Sequence, residues 1–129
     1  MEKKKILLVD DDADFTEAVK LLLESRSYDV IVANDGKEGL KKVQTEGPNL
    51  IILDVMMPEM DGYQVCAKLK ADPKYRQIPI LLLTAVGEAI TTTSYTKEMG
   101  MKTDADDYIP KPVEPVALVE RVENILRIS

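Results

Sequence analysis

The residues of this chain that could do chemistry are aspartates, a threonine and a lysine placed after short apolar runs. The five candidates are Asp10, Asp11, Asp54, Thr84 and Lys111. Carboxylates brought together repel one another, by about 4 kcal/mol for two unit charges about 4 Å apart at an effective dielectric near 20. A hard divalent cation relieves that repulsion, and an all-oxygen ligand set favours Mg²⁺, with Mn²⁺ as the other option. With a hydroxyl and an ammonium group beside them, the aspartates predict phosphoryl transfer to a carboxylate.

Asp54 is the best candidate for the nucleophile among these carboxylates. It stands alone after the apolar run Leu50–Leu53, whereas Asp10 and Asp11 are adjacent after Ile6–Val9 and are free to hold the cation. The lysine supplies a second positive group, able to pair with a carboxylate or with a phosphoryl group bound to it.

The composition excludes several other kinds of site. The 129-residue chain contains no histidine, which rules out Ser-His and Cys-His catalysis and histidine-ligated zinc. Its one cysteine cannot form an internal disulfide, which predicts a reducing compartment. The net charge of −6 argues against direct nucleic-acid binding by this domain. No apolar run is long enough for a membrane span or for the core of a signal peptide, so we expect a cytoplasmic protein without membrane insertion.

Short apolar runs alternate with helical patterns along the chain. The runs predict five strands, Ile6–Val9, Val30–Ala33, Leu50–Leu53, Ile78–Leu83 and Tyr108–Ile109. They are rich in Ile, Leu and Val without polar alternation, which is typical of strands buried on both faces. Helical spacing follows each run, with a fourth helix expected over about 88–99. The order (βα)5 predicts a single α/β domain over residues 1–129, with a flavodoxin-like, doubly wound parallel sheet of strand order 2-1-3-4-5.

The predicted sheet brings the candidate residues together. Ligands bind beyond the carboxyl ends of parallel strands, at the switch point that this strand order places between strands 1 and 3. We therefore expect Asp10, Asp11 and Asp54 to converge there, with Thr84 and Lys111 at the ends of the next two strands.

Other acidic residues are better explained as helix starts or solvated surface. Asp14 with Glu17 and Asp35 with Glu38 have the spacing of capping boxes, and Asp12 is an alternative cap for the first helix. The remaining assignments are a turn and helix start at Asp61-Gly62, a core position for Cys66, and a solvated loop containing Asp104, Asp106 and Asp107.

The chain closely resembles the receiver domain of two-component response regulators over essentially its whole length. Four segments carry the resemblance, in this order on the predicted strands: Ile6–Asp12, Leu53–Gly62, Leu83–Ala85 and Asp106–Pro112. Each segment is weak evidence alone, whereas the four together are highly specific. The resemblance implies a phosphoacceptor signalling domain rather than an enzyme, with at most slow self-dephosphorylation.

The resemblance implies a role for each acidic candidate. Asp54 would accept a phosphoryl group from a phosphohistidine on a sensor histidine kinase or a histidine phosphotransfer protein. Asp10 and Asp11 would hold Mg²⁺ together with Asp54, and the backbone carbonyl of Met56 would complete the protein ligands.

The resemblance also implies a conformational switch. Thr84 and Lys111 would contact the phosphoryl oxygens. Thr84 would move toward the phosphate as Tyr108 rotates inward, which alters the face formed by helix 4, strand 5 and helix 5 and so controls a partner or an output domain. The Lys111–Pro112 peptide bond would be cis. The sequence does not identify the cognate kinase, the output or the oligomeric state.

Two features affect how this chain uses the family pattern. Thr84 and Lys111 are 27 positions apart, about one helical turn more than is usual for the family, so we expect residues from about Gly87 to Asp104 to be irregular or mobile. Met56 and Val86 stand two residues after the acceptor and the threonine, where they flank the path of attacking water in the family. Both are apolar and neither can orient that water, which predicts slow autodephosphorylation.

Three alternatives compete with this interpretation. A phosphatase of the haloacid dehalogenase type would form its aspartyl-phosphate on Asp10, but its pattern expects Thr or Val where Asp14 stands, and its lysine precedes its late acidic pair. A flavin-binding module shares the fold class, but three aspartates in its phosphate loop would repel phosphate. A degenerate receiver would lack one of the site residues, and none is missing.

Overall fold

The structure is a computed structural model that describes residues 3–57, 60–85 and 105–128. Its five described strands are β1 (Lys5–Val9), β2 (Asp29–Ala33), β3 (Leu50–Asp54), β4 (Ile80–Ala85) and β5 (Asp107–Lys111). They form one sheet in the order β2-β1-β3-β4-β5, and every pairing is parallel. The predicted fold class and strand order are therefore confirmed, with the switch point between β1 and β3.

Four helices are described, and they lie on both faces of the sheet. They are α1 (Ala13–Ser25), α2 (Gly36–Glu46), α3 (Gly62–Ala71) and a C-terminal helix (Pro115–Ile128). The fourth helix expected over 88–99, and the irregular segment expected from Gly87 to Asp104, lie outside the described residues.

The three central strands, β1, β3 and β4, are buried on both faces, as their uninterrupted apolar sequences predict, whereas the edge strands β2 and β5 are only partly buried. In β1, Leu7 and Val9 point into one core cluster, which includes residues of α2 and α3. Ile6 and Leu8 point into the other, which includes residues of α1 and the C-terminal helix. All four side chains are fully buried, and each such aliphatic side chain contributes about 1.5–3 kcal/mol. Cys66 is fully buried in the first cluster, as predicted. Two packed layers thus fix the strand ends in place.

The start of α1 differs from one of the two sequence interpretations. Asp12 has an extended backbone (φ −86°, ψ 102°) and its Oδ1 accepts the Phe15 N–H at 3.1 Å, which makes it the N-cap. The prediction that Asp14 and Glu17 form a capping box is wrong, because both residues already lie inside the helix.

The other helix boundaries follow the sequence signals closely. Asp35 caps α2 by accepting the Glu38 N–H, but Glu38 Oε1 accepts the Asn34 N–H, one residue before the position that a capping box requires. Gly47 ends α2 with a left-handed backbone (φ 57°), the conformation for which glycine is preferred at a helix end. At α3 the box is complete, with Asp61 accepting from the Gln64 N–H and the Gln64 side chain accepting from Asp61.

A lysine joins three segments at the amino end of the sheet. Lys70 Nζ donates to the carbonyls of Arg76 and Ile78 and to Asp106 Oδ2, at 3.0, 2.9 and 3.1 Å. Asp106 Oδ2 also accepts the Ile80 N–H at 2.8 Å. Asp106 is exposed and precedes β5, as the predicted solvated loop requires, and its carboxylate in addition links the starts of β4 and β5.

The strand β5 lies at one edge of the sheet and has few free amide groups there. The Tyr108 N–H donates to the carboxylate of the preceding residue, Asp107 Oδ1, at 2.8 Å. Asp107 Oδ2 is held by Arg121 of the C-terminal helix at 2.6 Å. The solvated-loop prediction is therefore wrong for Asp107, which belongs to the strand. Pro110, two residues beyond Tyr108, has no N–H to donate.

No helix in the described ranges combines the length and the apolar composition needed to cross a bilayer.

Candidate acidic phosphoacceptor site

The carboxyl ends of four strands position the candidate site residues. Asp10 follows β1 directly, Asp54 is the last residue of β3, and Thr84 and Lys111 lie in the last two positions of β4 and β5. The pairing register brings these ends to one edge, since Asp54 pairs with Leu83 and Thr84 pairs with Pro110. Asp10, Thr84 and Asp54 are each less than 5% exposed, so three polar groups are buried where the apolar strands end.

Asp10, Asp11 and Asp54 form an acidic cluster at this edge. Each offers one carboxylate oxygen, and these three atoms lie within 4.8 Å of one another. Asp11 is exposed, whereas the other two are buried. The convergence expected from the strand order is therefore observed.

Lys111 inserts its ammonium group between the two buried carboxylates. Its Nζ lies 2.8 Å from Asp10 Oδ2 and 3.5 Å from Asp54 Oδ2. Burial alone would lower the pKa of Lys111, but the hydrogen bond and charge of Asp10, together with Asp54, raise the pKa above its usual value. The lysine is therefore a permanent cation in this site.

Asp54 is held in an environment that resists its negative charge. Burial raises the pKa of Asp54 from an ordinary 3.8 to about 6, and the charge of Asp10 acts in the same direction. The Met56 N–H, 3.1 Å from Asp54 Oδ1, and the ammonium group of Lys111 act in the opposite direction without cancelling the rise. One lysine thus does not neutralise the cluster.

The backbone next to each buried carboxylate fixes its orientation. The Asp12 N–H donates to Asp10 Oδ1 at 2.9 Å, as the Met56 N–H does to Asp54. Helix α3 also approaches Asp54 closely, because a Cβ on Gly62 would lie only 2.6 Å from the carbonyl oxygen of Asp54. Only glycine fits there, so α3 begins directly beneath the Asp54 backbone.

The remaining candidates lie around this cluster. The Met56 side chain, two residues after Asp54, is more than half exposed. Tyr108 is partly buried and packs against the core cluster on the α2 and α3 face. The Lys111–Pro112 peptide bond is cis, the geometry that the resemblance implies. Val86, the other residue expected to flank the path of water, lies outside the described residues.

The donor set fits a hard divalent cation. Three carboxylates and one ammonium leave an excess of two negative charges when all are ionised. Mg²⁺ takes one or two carboxylates and keeps several waters, which suits a cluster with one exposed and two buried members.

One contact at the site escaped the sequence analysis. The Lys111 ammonium group lies 4.9 Å from the centroid of the Phe15 ring, in the first turn of α1. In the sequence, Phe15 belongs to the apolar helical spacing that follows the first strand. An aromatic residue a few positions after an acidic pair is the available signal, but nothing local indicates that a lysine 96 positions later lies over its ring.

Comparison with known proteins identifies the class. A family model for the response regulator receiver domain matches residues 6–123. The chain belongs to that family, so it is a phosphoacceptor signalling domain of a two-component system, and the resemblance drawn from the motifs is confirmed. Members of this family typically bind Mg²⁺, and response regulators receive a phosphoryl group from histidine kinases and act on output domains.

Two curated relatives illustrate the match. The chain is 45% identical over 126 residues to the alkaline phosphatase synthesis transcriptional regulatory protein PhoP of Bacillus subtilis (strain 168), covering 98% of this chain and 50% of PhoP. It is 38% identical over 125 residues to the DNA-binding response regulator MtrA of Mycolicibacterium paratuberculosis, covering 97% of this chain and 52% of MtrA. The chain spans about half the length of these relatives.

Solved structures agree with the fold. A putative response regulator from Chloroflexus aurantiacus superposes with a TM-score of 0.84 at 37% identity, covering 98% of this chain and 99% of that one. The chemotaxis response regulator CheY4 of Vibrio cholerae gives a TM-score of 0.83 at 31% identity, covering 96% and 99%. Nothing in these comparisons favours a phosphatase of the haloacid dehalogenase type.

Proposed function

We propose that Asp54 is the phosphoacceptor, and that it takes a phosphoryl group from a phosphohistidine on a sensor histidine kinase or a histidine phosphotransfer protein. The observation that carries this proposal is the meeting of Asp10, Asp11 and Asp54 with Lys111 at the carboxyl edge of the sheet. Of the two buried aspartates, Asp10 has its Oδ2 in the shorter contact with the lysine, 2.8 Å against 3.5 Å. Asp54 is the less tightly held carboxylate and the better nucleophile.

The transfer replaces one bond to phosphorus by another. A carboxylate oxygen of Asp54 forms the new P–O bond while the P–N bond of the donor breaks, and the leaving imidazole takes up a proton. Asp54 must be ionised to attack, and the Met56 N–H and Lys111 favour that form. The ammonium group of Lys111 then pairs with phosphoryl oxygens, and the Thr84 hydroxyl lies at the end of the adjacent strand to donate to them.

Asp10, Asp11, Asp54 and the backbone carbonyl of Met56 would hold Mg²⁺. The bound cation supplies charge neutralisation for the incoming phosphoryl oxygens. Its support is the chemistry of the donor set, which gathers three carboxylate oxygens within 4.8 Å of one another. Mn²⁺ satisfies the same ligands.

Phosphorylation would switch the output face through Thr84 and Tyr108. Tyr108 is partly buried on the strand next to that of Thr84, so movement of one affects the packing of the other. Because PhoP is named a transcriptional regulator and MtrA a DNA-binding regulator, an output domain that binds DNA is the natural recipient of the signal. Residues 1–129 would act as the receiver domain, located in the cytoplasm, without binding nucleic acid directly.

The phosphorylated form would decay slowly. Met56 is apolar and its exposed side chain stands beside the acceptor, so it cannot orient an attacking water. Replacing Met56 by Asn should change the decay rate of phosphorylated protein measured after removal of the donor. An unchanged rate would count against this role.

Labelling by a small phosphodonor tests the proposal. Parent protein, Asp54→Asn and Asp35→Asn are incubated with phosphoramidate and Mg²⁺, and incorporation is measured by intact mass and located by peptide mapping. Asp35→Asn is the matched control, because asparagine also caps helices and Asp35 lies outside the site. We expect the parent and the control to gain one phosphoryl group on Asp54, and Asp54→Asn to gain none. Labelling of Asp54→Asn at the parental rate, a label on Asp10, or an unlabelled parent would overturn it.

A further inference from the structure

The ammonium group of Lys111 needs a constraint that its carboxylate partners do not supply. A lysine side chain is a flexible four-carbon stem that ends in three rotatable donors. Within the described residues, ion pairs join the acidic cluster to Lys111 alone, at 2.8 Å to Asp10 and 3.5 Å to Asp54. These two oxygens are the groups whose charge changes when a cation or a phosphoryl group arrives. They cannot therefore hold the ammonium group in one place throughout the reaction.

The Phe15 ring provides a contact that does not change. Its centroid lies 4.9 Å from Lys111 Nζ, within the range of a cation–π attraction. Phe15 is the single phenylalanine of the chain, and it is partly buried against the core cluster on the α1 face. Its position is therefore set by packing, independently of the charges at the site.

The ring is also tied to the metal-binding aspartate through the backbone. The Phe15 N–H donates to Asp12 Oδ1 at 3.1 Å, and the Asp12 N–H donates to Asp10 Oδ1 at 2.9 Å. The Lys111 ammonium group contacts both Asp10 and the ring, so the lysine, the aspartate and the ring are all linked to one another. The cap of α1 thus fixes the ring relative to the acidic cluster.

An aromatic ring suits this place because it attracts a cation while carrying no net charge. A carboxylate there would add a further negative charge to a cluster that already has an excess. An aliphatic side chain would pack equally well but would offer no attraction to the ammonium group.

We infer that Phe15 is a positioning residue for Lys111, holding its ammonium group over the site so that it can pass from the aspartates to the phosphoryl oxygens. This inference rests on the proposed function of Asp54. It means that a residue in the first turn of α1 affects the rate of phosphoryl transfer.

The test compares Phe15→Leu, Phe15→Tyr and the parent protein. Leucine keeps the apolar packing without the ring, and tyrosine keeps the ring. The matched control is Tyr28→Leu, because Tyr28 is partly buried in the same core cluster but precedes β2, at the opposite end of the sheet. Each protein is first checked for folding by thermal denaturation. The phosphoramidate labelling rate is then measured at saturating Mg²⁺, and Mg²⁺ affinity is measured by calorimetry.

We expect Phe15→Leu to be labelled about 3–10-fold more slowly than the parent. Its Mg²⁺ affinity should be unchanged, and Phe15→Tyr and Tyr28→Leu should keep the parental rate. Equal rates for Phe15→Leu and the parent, an equal loss in Tyr28→Leu, or an equal loss in Phe15→Tyr would each overturn the inference.

A second measurement does not depend on phosphorylation. The ring current of Phe15 should shift the ε-methylene proton resonances of Lys111 upfield in the parent and in Phe15→Tyr, and this shift should vanish in Phe15→Leu. Absence of the shift in the parent would overturn the inference even if labelling failed for another reason. A parent protein that shows the shift but takes up no label would instead contradict the role of Asp54.

Discussion

The charged groups at the two ends of the sheet differ in how completely they are paired. At the amino end, the Lys70 ammonium group has three oxygen acceptors, and its carboxylate partner Asp106 also accepts the Ile80 N–H. At the carboxyl end, Asp10, Asp11 and Asp54 form a cluster in which Lys111 contacts the two buried members, and the pKa of Asp54 is raised to about 6. The groups of the first arrangement are paired within the protein, whereas the second keeps an excess of negative charge when all of its groups are ionised.

This difference means that the charges at the amino end contribute to stability, whereas those at the carboxyl end are suited to binding. A network whose charged groups are all paired within the protein contributes to the free energy of unfolding and leaves no excess charge to attract a ligand. A cluster with excess negative charge lowers the free energy of unfolding of the metal-free protein, and binding of a cation raises it again. Replacing the lysine by methionine should therefore change phosphoryl transfer and cation binding at the carboxyl end, but the free energy of unfolding at the amino end.

The largest effect is expected from Lys111→Met. Loss of the ammonium group should slow phosphoramidate labelling by about 100-fold, because the phosphoryl oxygens lose a charged partner. The same change should tighten Mg²⁺ binding by about tenfold, because the cation no longer competes with a lysine for the carboxylates. Labelling and calorimetry measure the two effects. Weaker Mg²⁺ binding in the variant would show that the lysine organises the cluster rather than competing for it.

Asp54→Asn should stabilise the metal-free protein at neutral pH by about 2 kcal/mol. Folded Asp54 binds its proton more strongly than the unfolded chain does, so the free energy of unfolding falls as pH rises from about 4 to about 6, the pKa in the fold. Above that pH the cost is fully present. Urea denaturation with a chelator, at pH 4 and pH 7.5, measures it. A gain equal at both pH values would contradict the titration of Asp54 as its cause.

Lys70→Met is the counterpart at the amino end. It should lower the free energy of unfolding by about 1.5 kcal/mol, because two carbonyls and the Asp106 carboxylate lose their donor. Urea denaturation measures the loss. The labelling rate and Mg²⁺ affinity should match those of the parent, and a change in either would show that the two ends are coupled.

The smallest effect is expected from Asp61→Ala. The substitution removes the acceptor of the capping box at α3, which should cost about 1 kcal/mol of unfolding free energy. Asp61→Asn is the control, because asparagine keeps the cap. An alanine variant as stable as the asparagine variant would show that α3 is held by packing alone.

The carboxyl-end cluster could be predicted from the sequence because it depends on strand order. Apolar runs locate the strands, and the parallel order then brings Asp10, Asp54 and Lys111 to one edge without any knowledge of side-chain geometry. Asp12 as a cap and Gly47 as a helix end follow from local backbone preferences in the same way.

The contacts that were missed join elements far apart in the chain. The predicted loop contains Asp106, but the partners of its carboxylate, Lys70 and Ile80, lie 36 and 26 positions earlier in the chain. The contact between Phe15 and Lys111 likewise depends on the distance between α1 and β5. Periodicity identifies which face of a helix is apolar, but it does not identify which charged group lies over a particular ring.

The amides of β5 have a consequence for how copies of this domain can associate. An incoming strand needs a row of N–H donors on the edge that it joins. On this edge the Tyr108 N–H is already occupied by a carboxylate, and Pro110, which faces the same side two residues along, has none. These two positions offer an incoming strand no free N–H donor, which disfavours strand addition and aggregation past β5. A partner that meets the domain here has side chains and backbone carbonyls to recognise.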